Sequence, residues 1–144
     1  MSTNIDPMEA SLGPDPSNDV IEAFDPSAWP RDHSMYCPTM HYRQKCREEE
    51  RCVKPKTTVL CIEEGEVIPT RNKGEAKFYH EDSGVVHYLV VGGPSTAPEG
   101  ECDYRAITIW PWIEDETEAR QSLRWTNSEI EQMKSVNRRL IERS

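Results

Sequence analysis

The chain has 144 residues and a formal net charge of −9 at pH 7, and this length fits about one domain. Because sequence-independent binding to DNA or RNA relies on Lys and Arg neutralising phosphates, the acidic balance disfavours that class of function. The low hydrophobic content of 35% and the eleven prolines are typical of a chain that is unfolded in part.

Residues 1–34 are predicted to form a disordered tail that is acidic and rich in proline. No Lys or Arg occurs before Arg31, and such a composition buries too little apolar surface to fold. The tail has neither the basic region nor the apolar region of a secretory signal. No run of the chain has the about 20 apolar residues that cross a bilayer. We therefore expect a soluble intracellular protein, in the cytoplasm or nucleus, unless a signal has been removed.

One short apolar island interrupts this tail. Val20, Ile21 and Phe24 share a helical face, and Trp29 follows them. Apolar anchors on an acidic segment suit docking into the groove of a partner protein, so these four residues are candidate partner-binding residues. The alternative is that Phe24 and Trp29 pin the tail to its own domain, since large aromatic side chains are usually buried.

Residues 35–61 are a cysteine-rich segment that opens the predicted domain, residues 35–144. The chain has five cysteines, and this odd number in a reducing compartment favours thiols or metal ligands over a disulfide framework. Structural zinc takes four Cys or His ligands. The candidate zinc ligands are Cys37, His41, Cys46, Cys52 and Cys61. The alternative is a metal-free segment with free or paired cysteines, and Cys102 is expected to be a surface thiol.

The spacing Cys37-x8-Cys46-x5-Cys52 resembles the first three ligands of a CCCH-type zinc finger, an RNA-binding module. In that family the fourth ligand is a His after three more residues, whereas this chain has Lys56 there. The resemblance spans only this segment and implies RNA contacts by basic residues around the cysteines. These candidates are Arg43, Lys45, Arg47, Arg51, Lys54 and Lys56. Basic and aromatic side chains together are typical of single-strand binding, but residues 48–50 are acidic and would repel phosphate.

Residues 57–112 are predicted to form a small antiparallel sheet of about four strands. Alternation in KTTVLCI indicates a first strand from Thr57, with Cys61 in the core. Two β-rich runs on either side of EDSG predict a hairpin that turns at Gly84. A last strand, YRAITIW, is predicted to end before Pro111. Short connections favour antiparallel pairing.

Residues 114–143 are predicted to form two helices that cover the sheet. Thr126 and Glu129 form a capping box at the start of the longer helix, and Asp115 with Glu118 repeats the pattern at the shorter one. The longer helix carries one apolar stripe, made of Ile130, Met133, Val136, Leu140 and Ile141. The predicted class is therefore α+β, with C-terminal helices packed on a small antiparallel sheet.

The sequence has no phosphate loop, no G-x-S-x-G and no H-E-x-x-H motif. We therefore predict a non-catalytic interaction or regulatory accessory protein whose partner is another protein, bound through the acidic tail, with zinc in a structural role if zinc binds. No membrane partner is expected. The first alternative is a small RNA-binding protein that uses the basic cysteine-rich segment. The second is a small enzyme, because active sites are assembled in space rather than in sequence.

Overall fold

A computed structural model describes residues 24–143, which form a five-stranded sheet and four α-helices. The strands are β1 (Cys37–Pro38), β2 (Glu66–Pro69), β3 (Glu75–Asp82), β4 (Val85–Gly92) and β5 (Arg105–Ile113). The helices are α1 (Met40–Arg47), α2 (Thr57–Glu63), α3 (Glu116–Gln121) and α4 (Asn127–Glu142). The first part of the predicted tail, with Val20 and Ile21, lies outside the described residues.

The α+β class is confirmed, but the predicted sheet of four antiparallel strands is wrong. The sheet has five strands in the order β1-β5-β4-β3-β2. It is mixed, because the short strand β1 runs parallel to β5 while the other neighbours are antiparallel. No helix of residues 24–143 is both long and apolar enough to cross a membrane.

The predicted hairpin is confirmed as β3 and β4. Its two turn residues, Ser83 and Gly84, have φ angles of 52° and 85°, the left-handed conformation that two-residue hairpin turns use. The backbone N–H of Gly84 donates to the Glu81 carboxylate at 2.9 Å. A Cβ at Gly84 would lie 2.4 Å from the carbonyl oxygen of Asp115, so the turn packs closely against the start of α3.

The predicted strand at Thr57 is wrong, because residues 57–63 form helix α2. Its buried residues are Thr57, Cys61 and Ile62, a spacing that matches one side of a helix. The β-branched residues of this run favoured a strand, but packing overrides such preferences readily. Cys61 does lie in the core as predicted, and β2 supplies the strand that pairs with β3.

Strand β5 does not end before Pro111, as predicted, but continues to Ile113. The edge of β5 that faces away from β4 pairs with β1 only at its first two residues. The carbonyl of Pro111 points to this open edge, where it accepts a hydrogen bond from Asn137, and its nitrogen points the same way. Proline is tolerated at such an edge because the sheet needs no N–H there.

Side chains from distant segments bond to the open edge of β5. Arg51 Nη1 donates to the carbonyl of Ile109 at 2.7 Å. The Asn137 amide donates to the carbonyl of Pro111 at 2.7 Å and accepts from the N–H of Ile113 at 3.0 Å. These contacts cover backbone groups that would otherwise be open to pairing with another chain.

Two of the three core clusters position α2 and the C-terminal half of α4 on this sheet. The larger lies between the sheet and α2, and it includes Cys61, Ile62, Phe78 and Leu89. The second joins α4 to β4 and β5 through Val90, Trp110, Val136 and Leu140. The capping box of Thr126 and Glu129 is confirmed, whereas Ile141 is 57% exposed and does not belong to the buried stripe. Helix α4 is thereby held along β5, beside the segment that follows α1.

Candidate anion-binding groove

A groove of about 370 Å³ lies between the segment 45–51 and the last turns of α4. Its lining comprises Lys45, Glu48, Glu50, Arg51, Val136, Arg139, Leu140 and Arg143. Four cationic and two anionic side chains leave a net charge of +2, in a chain whose net charge is −9. The volume falls in the range of small-ligand sites.

The near wall of the groove is built by α1 and the 3-10 turn after it. Thr39 caps α1 by accepting from the N–H of Tyr42 at 3.1 Å. The turn Glu49–Arg51 ends at Cys52, which has a left-handed backbone with φ 51° and ψ 43°. A residue with a side chain occupies this conformation at a cost of about 1 kcal/mol or more. The reversal at Cys52 leaves the preceding residue, Arg51, against the edge of β5.

Arg51 is the buried cation of the groove, with a side chain only 5% exposed. Its Nε donates to Glu48 at 2.8 Å, and its Nη1 donates to the carbonyl of Ile109 at 2.7 Å. Two bonded nitrogens fix the plane of the guanidinium, which makes Arg51 a rigid element of the site.

Glu48 is the counter-ion that keeps this buried charge in place. Its carboxylate also accepts from Lys45 Nζ at 3.0 Å. The pKa of Glu48 is lowered from its ordinary value, because partial burial, which raises it, is outweighed by the hydrogen bonds from Arg51 and Lys45. Glu48 is therefore ionised at neutral pH, and it stays bonded to Lys45 and Arg51 in the near wall.

The far wall carries Arg139, in the last turn of α4, and Arg143, the C-cap residue of that helix. Arg139 lies 3.7 Å from Glu50, and the two side chains are 50% and 38% exposed. Exposed pairs of this kind contribute about 0–1 kcal/mol, so an incoming anion can replace Glu50. The C-terminal end of α4 adds roughly half a negative charge, which leaves the site positive.

Three of the six predicted RNA contacts are engaged within the protein. Arg51 is buried as described, Lys45 pairs with Glu48, and Lys54 forms an ion pair with Glu129 while lying over the ring of Trp125 at 5.5 Å. The other three are exposed, namely Arg43, Arg47 and Lys56. RNA binding by this segment stays a prediction.

The five cysteines differ in their bonding state and their burial. Cys37 is joined to Cys102 by a disulfide, so Cys102 is not the surface thiol that we expected. Cys46, Cys52 and Cys61 are free. Burial raises the pKa of Cys52 to about 11 and that of Cys61 to about 12, so both are protonated near neutral pH. A protonated, buried thiol is a poor nucleophile.

The five predicted zinc ligands are dispersed. His41 is exposed on α1, Cys37 is in the disulfide, and Cys61 faces the core. Within residues 24–143, the one group of three such side chains with ligand atoms within 4.8 Å of one another is Asp32, His33 and Glu63. All three are exposed, and His33 Nδ1 lies 2.6 Å from a carboxylate oxygen of Glu63. Structural zinc at the cysteines stays a prediction.

Phe24 and Trp29 both pack against the chain's own core cluster. The Trp29 ring lies edge-on to Tyr104, with ring centroids 6.0 Å apart. These contacts agree with the alternative in which the two aromatic residues pin the tail to the domain. Partner binding by Val20 and Ile21 stays a prediction, because both lie outside the described residues.

No family model, curated protein or solved structure matches this chain. Its function must therefore be argued from the groove and its surroundings.

Proposed function

We propose that the chain is a non-catalytic interaction protein, and that its groove binds an anionic segment of a partner protein. The observation that carries the proposal is the excess of cations around a buried and oriented Arg51, in a protein that is otherwise acidic. Complementary charge gives an interface its specificity and its rate of association.

A protein segment suits this groove better than a nucleic acid does. The groove carries a net charge of +2, whereas the whole chain carries −9. A long polyanion would extend beyond the groove along a chain of net negative charge, and repulsion would grow with each phosphate outside the site. A short acidic segment meets only the groove.

The chemistry of the lining favours binding over catalysis. The lining contains no His, Cys, Ser or Thr side chain. Its two carboxylates are both paired with cations, Glu48 with Lys45 and Arg51 and Glu50 with Arg139. A general base needs a lone pair that is open to the substrate, and these carboxylates are engaged with cations instead.

The regulatory role, the intracellular location and the structural zinc belong to the same proposal, and the last two have their own test. The disulfide of Cys37 and Cys102 is of a kind that persists mainly in oxidising compartments, which weighs against the cytoplasm. Elemental analysis measures bound zinc. A thiol count on protein alkylated at lysis measures how many cysteines are reduced in the cell. Zinc with five reduced cysteines would support the intracellular location and the structural zinc, and no metal with three thiols would oppose them.

Fluorescence anisotropy with a labelled acidic peptide tests the groove. The wild-type chain should bind a Glu-rich peptide at physiological ionic strength and should not bind its Lys-rich counterpart. Arg139→Glu should weaken binding by about tenfold or more, which corresponds to about 1.4 kcal/mol. Arg138→Glu is the matched control, because Arg138 is an exposed neighbour outside the lining and the change in net charge is the same.

Two results would contradict the proposal. Equal loss of affinity in the two variants would mean that only net charge matters. Binding of an oligouridylate in preference to the peptide, with loss on Arg139→Glu, would make the RNA-binding alternative the correct one.

A further inference from the structure

We infer that the group bound in the groove is a phosphate monoester on the partner segment, a phosphorylated serine or threonine. This inference rests on the proposed function and names the chemistry of its ligand. Four features of the groove lead to it: the lack of apolar contact surface, the charge balance, the arrangement of donors on two walls, and the weak internal ion pair that must open.

The floor of the groove offers almost no apolar surface. Val136 and Leu140 are 1% and 2% exposed, because the core cluster with Trp110 already covers them. Hydrophobic gain is roughly proportional to the apolar area that is removed from water. Recognition must therefore come from the charged rim, and an apolar anchor on the ligand would add little.

The charge balance of the rim matches a dianion. The lining carries +2, and a phosphate monoester carries about −1.5 to −2 at neutral pH. A single carboxylate would leave an excess positive charge in the site. Glu48 does not change this balance on binding, because it is held by Lys45 and Arg51.

The donors stand on two facing walls. Lys45 and Arg51 belong to the near wall, and Arg139 and Arg143 belong to the far wall. A guanidinium binds two phosphate oxygens in a fork, and a phosphate monoester has three such oxygens pointing in different directions. A carboxylate has only two oxygens, in one plane, so it can accept from the donors of one wall but not from those of both.

The contact between Arg139 and Glu50 must open when an anion binds. Arg139 and Glu50 are 3.7 Å apart and exposed, so this pair is weak in water. The helix C-terminus opposes an anion with about half a charge, which the rim of four cations exceeds. Arg51 is already oriented by Glu48 and Ile109, so no ordering of its side chain is needed.

The test uses one peptide in three forms, with Ser, Glu or phosphoserine at its central position, titrated into the full-length chain. The phosphoserine form should bind about tenfold tighter than the Glu form, and the Ser form should be weakest. Arg143→Lys keeps the charge but removes the fork, so it should weaken the phosphoserine form more than the Glu form. Arg138→Lys should change neither affinity.

The possible negative results lead to different conclusions. Equal affinity for the Glu and phosphoserine forms would overturn the phosphate inference and leave the proposed function standing. No binding by either form would overturn both. If free phosphoserine or inorganic phosphate competes at the same concentration as the peptide, the site takes a small phosphate compound and the assignment to a protein segment is wrong. Circular dichroism of each variant confirms that it is folded.

Discussion

Asn137 and Pro111 are joined by a hydrogen bond of 2.7 Å from the side-chain amide of Asn137 to the backbone carbonyl of Pro111. The same side chain accepts from the N–H of Ile113 at 3.0 Å and is only 9% exposed. The Asn137 side chain thus forms the hydrogen bonds to the end of β5 that a neighbouring strand would otherwise form. This arrangement gives the first prediction.

Asn137→Ala should lower the free energy of unfolding by about 2–4 kcal/mol, because it leaves a buried carbonyl and a buried N–H without partners. Urea denaturation followed by circular dichroism measures the change. Arg138→Ala, next to it on the exposed side of α4, should change stability by less than about 0.5 kcal/mol. Equal midpoints for the wild type and Asn137→Ala would show that water replaces the lost contacts.

Loss of the disulfide should destabilise the chain. The bond between Cys37 and Cys102 closes a long loop, with a sequence separation of 65, and loop-closure entropy of that size is worth about 4 kcal/mol. Cys37→Ser and Cys102→Ser should each lower the unfolding free energy by about 2–4 kcal/mol. The double variant should lose no more than either single one, and a reductant should abolish the difference from wild type. Additive losses would mean that the two residues act separately.

The free energy of unfolding should decrease as the pH is lowered, because His87 is buried in its neutral form. Burial lowers the pKa of His87 to about 4 from 6.5, and its Nε2 lies 3.0 Å from the carbonyl oxygen of Arg51. Above pH 6.5 the imidazole is neutral in both the folded and unfolded states. Between pH 6.5 and 4 the unfolded chain takes up a proton that the folded chain does not, so stability falls by about 3 kcal/mol across this window.

His87→Gln should remove that part of the pH dependence. The measurement is urea denaturation of the wild type and the variant at several pH values between 7.5 and 4. His80→Gln is the matched control, because His80 pairs with His87 across the hairpin, and this variant should keep the slope. A wild-type slope in His87→Gln would assign the acid sensitivity to other groups.

A comparison of alanine substitutions at two glycines with positive φ distinguishes the cost of backbone strain from that of a steric clash. Gly84 and Gly100 have φ of 85° and 83°, but a Cβ at Gly84 would lie 2.4 Å from the carbonyl oxygen of Asp115, while one at Gly100 meets nothing within 4 Å. Gly100→Ala should cost about 1–2 kcal/mol, the price of the left-handed conformation. Gly84→Ala should cost more, and thermal unfolding of both variants measures the difference. Equal losses would mean that the turn at Gly84 relaxes freely.

The elements that the sequence predicts correctly are those with strong local signals. The hairpin of β3 and β4 has two β-rich runs around Gly84, and α4 has a capping box with an apolar stripe. By contrast, β1 has two residues and β2 has four, so neither leaves a readable period. The run from Thr57 is rich in β-branched residues, yet its packing makes it helical.

The groove could not be predicted, because its two walls lie far apart in the sequence. Lys45 and Arg51 belong to a basic segment around the cysteines, where the cysteine spacing resembles that of a zinc finger. Arg139 and Arg143 stand in the last turns of a helix, where the helix dipole is enough to explain cations. The pairing of Cys37 with Cys102 was equally hidden, since cysteine positions do not determine connectivity.

Synthesis of the chain adds β5 before α4, the helix that carries Asn137. Until α4 docks, the backbone groups of Pro111 and Ile113 have no partner from that helix and lie at an open strand edge. Such edges on incompletely folded chains pair with other chains and lead to aggregation. A partly folded chain in which β5 has formed, but the helix that begins at Asn127 has not docked, is therefore exposed to this route of aggregation.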